Sequence, residues 1–411
     1  MISRFGDGRD WFFEKRVGLF VHWGLYAVLG WHEQDQIKRN IPRCEYSQLA
    51  QRFNPVGFDP DRWLDLADEA GMGYVCLTTK HIDGFCLWDT KQTDYNVMHT
   101  PYGRDIVGML AEACHRRGFP LCLYYSIPDL HQPNYPHAGR SYEWNESPPG
   151  DEPDLAKYLD FMRAQVRELC ICYGELGGFW WDANVLGVDD PSFNQMIRSL
   201  QPSAVINDRG PSRGDFSTPE REYPHEAHDA RAFTRPTEAC QSIGVESWGY
   251  KEDEDYYTLR YLRQSLDKNL ARGGNYLLNV GPRAAGTFPP EAESGLRGIG
   301  TWYRSVREAF EQAEPAPDWT ENTDVFVTTR GDTVYIHVSK DPIMNRVLLK
   351  PIGRLPRRAT LLNTGDEVEC RLDITPYSVG RPGTGKPYLR LRNLPISEYR
   401  DCVMVVKLEF G

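Results

Sequence analysis

No apolar run in this sequence approaches the ~18–20 residues that a membrane-spanning helix needs. There is no Lys/Arg-rich block either: 47 basic residues are scattered among 58 acidic ones, for a formal charge of −11. An acidic chain without a basic stripe is a poor match for nucleic acid or an anionic membrane, so neither is expected as a partner. CxxC pairs are missing and no histidine-rich stretch accompanies the cysteines, so no zinc or other metal site is expected. The ten cysteines lie apart. Cys76 and Cys122 sit inside apolar, strand-like runs, where a thiol serves as a small hydrophobe. Cys170 and Cys172 are two residues apart on a helical stretch, a poor spacing for a bridge. Free thiols point to a reducing compartment and a cytoplasmic protein. Residues 1–11 carry Asp7, Arg9 and Asp10 and lack the apolar core of a secretory signal; secretion through a leader already removed stays open.

What is present is globular. A length of 411 residues allows one large domain and one small one, and 40% hydrophobic with 26% charged residues excludes disordered and fibrous classes. Short apolar runs bounded by Gly or Pro read as buried strands at residues 17–23, 73–79, 120–126, 178–182, 204–207 and 275–281. Helical period lies between them: Trp63, Ala67 and Ala70 share a face, as do Ile106, Leu110 and Cys114, then Leu159, Met162 and Val166, then Leu262, Leu266 and Leu270. This alternation predicts an α/β fold, a (β/α)8-like TIM barrel over residues 1–315. An open dinucleotide-binding sheet is disfavoured, because no GxGxxG follows the first strand. Glu314-Pro-Ala-Pro-Asp318 reads as a linker. Beyond it, short alternating stretches separated by turn signals such as Asn363-Thr-Gly-Asp366 predict a C-terminal antiparallel β-sandwich over residues 316–411.

Reactive groups of a parallel barrel sit at the C-terminal ends of its strands. Here those ends read Val21-His-Trp-Gly24, Thr79-Lys-His-Ile-Asp83, Tyr124-Tyr-Ser126, Phe179-Trp-Trp-Asp182 and Asn207-Asp-Arg209. Apolar strands that finish in His, Trp, Tyr, Asp and Arg suit a sugar, whose C–H faces pack on rings while its hydroxyls pair with polar side chains. Asp182 stands out as a carboxylate held behind two tryptophans, able to attack an anomeric carbon. Retaining glycosidases need a second carboxyl about 5–5.5 Å away. Glu220, Glu222 and Glu238 are the downstream candidates, and spacing alone does not choose among them.

Together these motifs resemble glycoside hydrolase family 29, the retaining α-L-fucosidases. Six segments carry the resemblance in the family's order: Gly18-Leu-Phe-Val-His-Trp-Gly-Leu-Tyr26, Thr79-Lys-His-Ile-Asp-Gly-Phe-Cys-Leu-Trp88, Phe179-Trp-Trp-Asp182, Val205-Ile-Asn-Asp-Arg209, Ser247-Trp-Gly-Tyr250 and Gly273-Gly-Asn-Tyr-Leu-Leu-Asn-Val-Gly-Pro282. The resemblance implies a barrel followed by a β-sandwich and release of α-L-fucose, or a close analogue, from glycans or glycosides by double displacement. It implies Asp182 as nucleophile and Glu220 as acid/base, with Glu238 and Glu222 as second and third choices. It places His22, Glu33, Gln34, His81, Tyr125, Trp180 and Arg209 around the sugar. No cofactor is implied, the partner is a fucosylated substrate, and a homo-oligomer stays compatible.

Three positions depart from the family pattern. Ile82 follows His81 where a second histidine is usual, Gln34 follows Glu33 where Trp is usual, and Ala183 follows Asp182 where Gly is usual. A buried hydroxyl left unpaired by the Ile82 change would cost about 1–3 kcal/mol, which opens the alternatives of a fucose analogue or of fucose bound with help from Gln34. A same-fold glycosidase or transglycosylase for another sugar, and a catalytically silent carbohydrate-binding protein, are the competing readings. Residues 131–153, rich in Pro, Tyr and His, are expected to frame the leaving-group side.

Overall fold

Seven parallel strands form one curled sheet in the spatial order β5-β4-β3-β2-β1-β7-β6. They are β1 (Val17–Val21), β2 (Tyr74–Lys80), β3 (Leu121–Ser126), β4 (Gly178–Asp182), β5 (Val205–Ile206), β6 (Glu238–Ser242) and β7 (Asn275–Val280). The computed structural model describes residues 2–221, 232–320, 325–339, 344–374, 377–378, 381–382 and 386–411. Six of the seven strands match the apolar runs of the sequence. The seventh, β6, reads Glu-Ala-Cys-Gln-Ser and has no apolar run to announce it.

Each strand is buried on both faces, as a parallel sheet requires. Side chains alternate between two cores. Phe20, Tyr74, Cys76, Cys122, Tyr124, Trp180, Cys240 and Leu277 fill the barrel interior. Leu19, Val75, Leu123, Tyr125, Trp181 and Leu278 point outward against the helices. The interior leaves no room at Gly18, where a Cβ would lie 2.3 Å from the Tyr74 ring. The helices Pro60–Glu69, Ile106–Arg117, Leu155–Cys172 and Leu259–Ala271 begin on Asp59, Asp105, Asp154 and Thr258, whose side chains cap the first-turn amides.

The gap between β5 and β6 is bridged by residues 215–221. Phe216 pairs with Asn207, Ser217 with Thr237, and Glu220 with Cys240, all in the parallel sense. The Cys240 amide donates to the Pro219 carbonyl across 3.0 Å, and the Arg221 amide to the Cys240 carbonyl across 3.1 Å. An irregular segment with a proline in it thus occupies the eighth position of the ring and carries Glu220 to its rim.

Beyond the barrel lies a five-stranded antiparallel sheet, in spatial order Arg358–Leu361, Met404–Glu409, Thr333–Val338, Phe326–Arg330 and Glu314–Pro315. The expected linker is therefore partly built in, since Glu314–Pro315 pairs with Phe326–Arg330. A three-stranded sheet of Val347–Leu349, Tyr388–Arg392 and Glu369–Asp373 packs against one face through Leu349, Leu389 and Leu391. The other face, with Phe326, Tyr335 and Val405, joins the barrel's outer core. Polar links also cross this junction, among them His337 Nδ1, 2.7 Å from Asp267 Oδ1, and Trp302 Nε1, which donates to the Val403 carbonyl across 2.9 Å. No helix among the described residues is long and apolar enough to cross a membrane.

Candidate active site

Asp182 ends β4 on the inward face, in register with Ser126 of β3. Its Oδ2 accepts a hydrogen bond from the Tyr124 hydroxyl at 2.7 Å, and its Oδ1 lies 3.1 Å from Arg209 Nη1. That same nitrogen is 2.8 Å from Glu220 Oε2. One guanidinium nitrogen between two carboxylates holds their nearest oxygens within roughly 6 Å, close to the ~5–5.5 Å separation of retaining glycosidases. Arg209 is itself fixed by the bridging segment: Nε donates to Thr218 Oγ1 at 2.7 Å and Nη2 to the Thr218 carbonyl at 2.9 Å. The guanidinium also sits 4.9 Å from the Trp180 ring centroid, and Trp180 stacks on Tyr124 at 5.6 Å.

These groups line one cleft with His22, His81, Glu33, Gln34, Ile82, Ala183, Tyr142, Cys240 and Trp248. His22 directly follows β1, and its Nδ1 lies 2.7 Å from Asn279 Oδ1. The Asn279 amide nitrogen faces the Ser242 hydroxyl and the Trp248 carbonyl at 2.6 Å, and a carbonyl only accepts. Asn279 Oδ1 is therefore the acceptor for His22 Nδ1–H, which leaves Nε2 as the free lone pair. Burial, with His81 adding to it, lowers the His22 pKa to about 3, and burial lowers that of His81 to about 4. Both rings are neutral at physiological pH and suited to pairing with hydroxyls.

Glu33 follows β1 in the loop above it. Its Oε2 accepts from Ser247 Oγ at 2.8 Å and from the Trp248 amide at 2.9 Å. Burial would raise its pKa, but the fields of His32, His81 and His22 and the Ser247 hydrogen bond outweigh it, and the net shift is downward. Glu33 Oε1 and His81 Nδ1 are buried without a hydrogen-bond partner among the described residues. Buried polar atoms of that kind are normally satisfied, and in residues that line a cleft they mark where a ligand's hydroxyls would pair.

Two sequence assignments are relocated, and a third is outside the structure's reach. Tyr125 points out of the barrel and donates to Gln165 Oε1 across 2.7 Å; the ring beside Asp182 is Tyr124, one residue earlier, because successive strand residues face opposite sides. Glu238 opens β6 below the cleft rather than in it. Its Oε1 accepts from Trp180 Nε1 at 2.9 Å and its Oε2 from the Tyr74 hydroxyl at 2.5 Å, so it supports the far side of the Trp180 ring. Glu222 lies outside the described residues. Trp248 and Tyr142 also line the cleft, a placement that residue type alone does not announce. The first belongs to a quoted motif, and the second to the segment expected on the leaving-group side.

The chain is similar to known proteins over most of its length. The family model described as alpha-L-fucosidase matches residues 7–308. The tissue alpha-L-fucosidase of Rattus norvegicus is 28% identical over 397 residues, covering 88% of this chain and 83% of its own. The structure of alpha-L-fucosidase isoenzyme 1 from Paenibacillus thiaminolyticus superposes with a TM-score of 0.83 at 31% identity, covering 98% of this chain and 100% of that one. A Bacteroides thetaiotaomicron family 29 α-L-fucosidase, trapped as a covalent intermediate with 2-fluoro-fucosyl fluoride, gives a TM-score of 0.81 at 27% identity over 100% of this chain and 97% of its own. The chain belongs to the α-L-fucosidases of glycoside hydrolase family 29.

Proposed function

We propose that this protein releases α-L-fucose from fucosylated glycans or glycosides with retention of configuration, and that Asp182 and Glu220 carry the chemistry. The observation that supports the pair is Arg209 Nη1, 3.1 Å from one carboxylate and 2.8 Å from the other. Asp182 forms a bond to the anomeric carbon as the glycosidic oxygen leaves with a proton from Glu220. Water then attacks the same carbon, Glu220 takes its proton, and Asp182 departs. The Glu220 side chain is 41% exposed, against 24% for Asp182, so the proton donor meets solvent while the nucleophile is the more shielded of the two. Tyr124 and Arg209 orient the attacking carboxylate, which matters because a transition-state charge is stabilised only by groups already in place.

His22, His81 and Glu33 offer acceptors to the fucose hydroxyls, Gln34 an amide, and Ile82 a dry wall beside them. All ten cysteines are unpaired, which supports placing the protein in a reducing compartment. The test is trapping with 2-fluoro-fucosyl fluoride followed by peptide mapping. The adduct is expected on Asp182, and Asp182→Ala is expected to lose at least about four orders of magnitude in turnover. An adduct on any other residue would sink the assignment.

A further inference from the structure

Tyr142 is an aromatic ring held out over the cleft. It lines the same cavity as Asp182 and Glu220, yet 38% of it is exposed. Its backbone has φ +65°, the left-handed region, which a bulky side chain adopts only when its surroundings impose it.

The imposing structure is visible. The next residue, Glu143, is buried and gathers the loop around its carboxylate: Oε1 accepts from the Tyr135 hydroxyl at 2.5 Å, and Oε2 from the Ala138 amide at 3.1 Å and the Arg140 amide at 3.3 Å. Arg140 Nε closes the ion pair at 2.7 Å. Tyr135 packs edge-on against Tyr158 of the helix Leu155–Cys172, with ring centroids 4.9 Å apart. The segment is therefore anchored to the scaffold, and the strain at Tyr142 is carried by a buried network that itself makes no contact with the cleft.

The rest of the cleft says which part of a substrate this ring meets. Its floor is made of buried groups, His22, His81, Glu33, Tyr124 and Trp180, and these enclose the sugar whose anomeric carbon Asp182 attacks. Tyr142 and Glu220 are the more exposed members, at the mouth through which the leaving group departs. Asp182 and Glu220 raise the Tyr142 hydroxyl's pKa after burial has done so, which places the ring within their field.

We infer that Tyr142 is the platform of a leaving-group subsite, stacking on the C–H face of the sugar to which the fucose is attached. This rests on the fucosidase reading. A flat ring against a sugar's C–H face buries apolar surface on both partners without asking for a specific hydroxyl pattern, so the subsite would favour fucosyl-oligosaccharides over fucosides with small leaving groups.

The experiment compares a fucosyl disaccharide with α-L-fucosyl fluoride, whose leaving group has no ring to stack. Tyr142→Ala is expected to lower kcat/KM for the disaccharide roughly three- to tenfold more than for the fluoride, whereas Tyr142→Phe, which keeps the ring, loses little of that difference. Thermal unfolding of both variants reports whether the loop survives the change. Equal losses on both substrates, with wild-type enzyme active on both, would overturn the inference and leave the fucosidase reading standing. Wild-type enzyme inert towards both would overturn the two together.

Discussion

The hydroxyl of Tyr124 donates to Oδ2 of Asp182 at 2.7 Å, and Arg209 holds the other oxygen of the same carboxylate. The Asp182 carboxylate, the proposed nucleophile, is thus fixed at both oxygens. Burial and the nearby Asp182 charge raise the Tyr124 pKa well above its ordinary value, so the phenol keeps its proton and stays a donor. Tyr124→Phe removes one hydrogen bond to a charged group and keeps the ring against Trp180. At about 1.5–3 kcal/mol for such a bond, kcat/KM is expected to fall roughly ten- to hundredfold while the fold is retained. Steady-state kinetics on an aryl fucoside checks this, and an unchanged rate would show that Asp182 is oriented by Arg209 alone.

Glu220 and Glu238 differ in what they can reach. Glu220→Ala is expected to slow substrates with poor leaving groups far more than those with activated ones. Added azide should restore turnover with an α-linked fucosyl azide product, because a small anion needs no general base and can attack the fucosyl–Asp182 intermediate from the open rim. Glu238→Ala should show no such rescue, since its carboxylate is sealed between Tyr74 and Trp180. Rescue of the Glu238 variant alone would reverse the assignment.

Burial raises the Glu238 pKa from 4.5 to about 7, even though Tyr74 and Trp180 both pull it down. The folded protein therefore holds a proton at this site over a pH range in which the unfolded chain has released it. Stability from this group is fully present below about pH 4.5 and is lost as the pH rises through about 7. Asp83, raised to about 7 chiefly by burial, acts in the same direction. Denaturant titrations between pH 4.5 and 8 should show a steeper decline for wild type than for Glu238→Gln, and a flatter one still for Glu238→Gln with Asp83→Asn. Parallel curves for all three proteins would refute a buried acid at either position.

Ala183, next to Asp182, has φ +56°. The left-handed region costs an ordinary L-residue roughly 1–2 kcal/mol and glycine almost nothing. Ala183→Gly is expected to raise stability by about 0.5–1 kcal/mol after the entropy of the extra glycine is set against the relief. The readout is a higher midpoint in denaturant with an unchanged slope. A lower midpoint would mean that the alanine methyl is making contacts worth more than the strain.

The sequence was informative wherever a single residue's chemistry or a repeating pattern was enough. Six barrel strands were legible because a strand in a parallel sheet is buried on both faces and must be apolar throughout. Asp182, His22 and His81 drew attention in the sequence because strand ends at one rim of a barrel converge, and Glu33 because the resemblance to a family points to it; that all four line one cleft is a tertiary fact. The strand β6 was hidden because its inward residues, Glu238 and Cys240, serve the polar and narrow parts of the interior, so the run is not apolar.

Tertiary structure alone decided the rest. Whether Tyr124 or Tyr125 faces the sugar depends on strand parity, and adjacent aromatics on one strand leave that open until the register with Trp180 and Asp182 is set. Which glutamate stands across from Asp182 depends on how the chain closes the ring between β5 and β6, a contact among residues far apart in sequence. Residue types can say that a carboxylate is available; only the path of the backbone between them fixes the few ångströms at which two carboxylates act on one carbon.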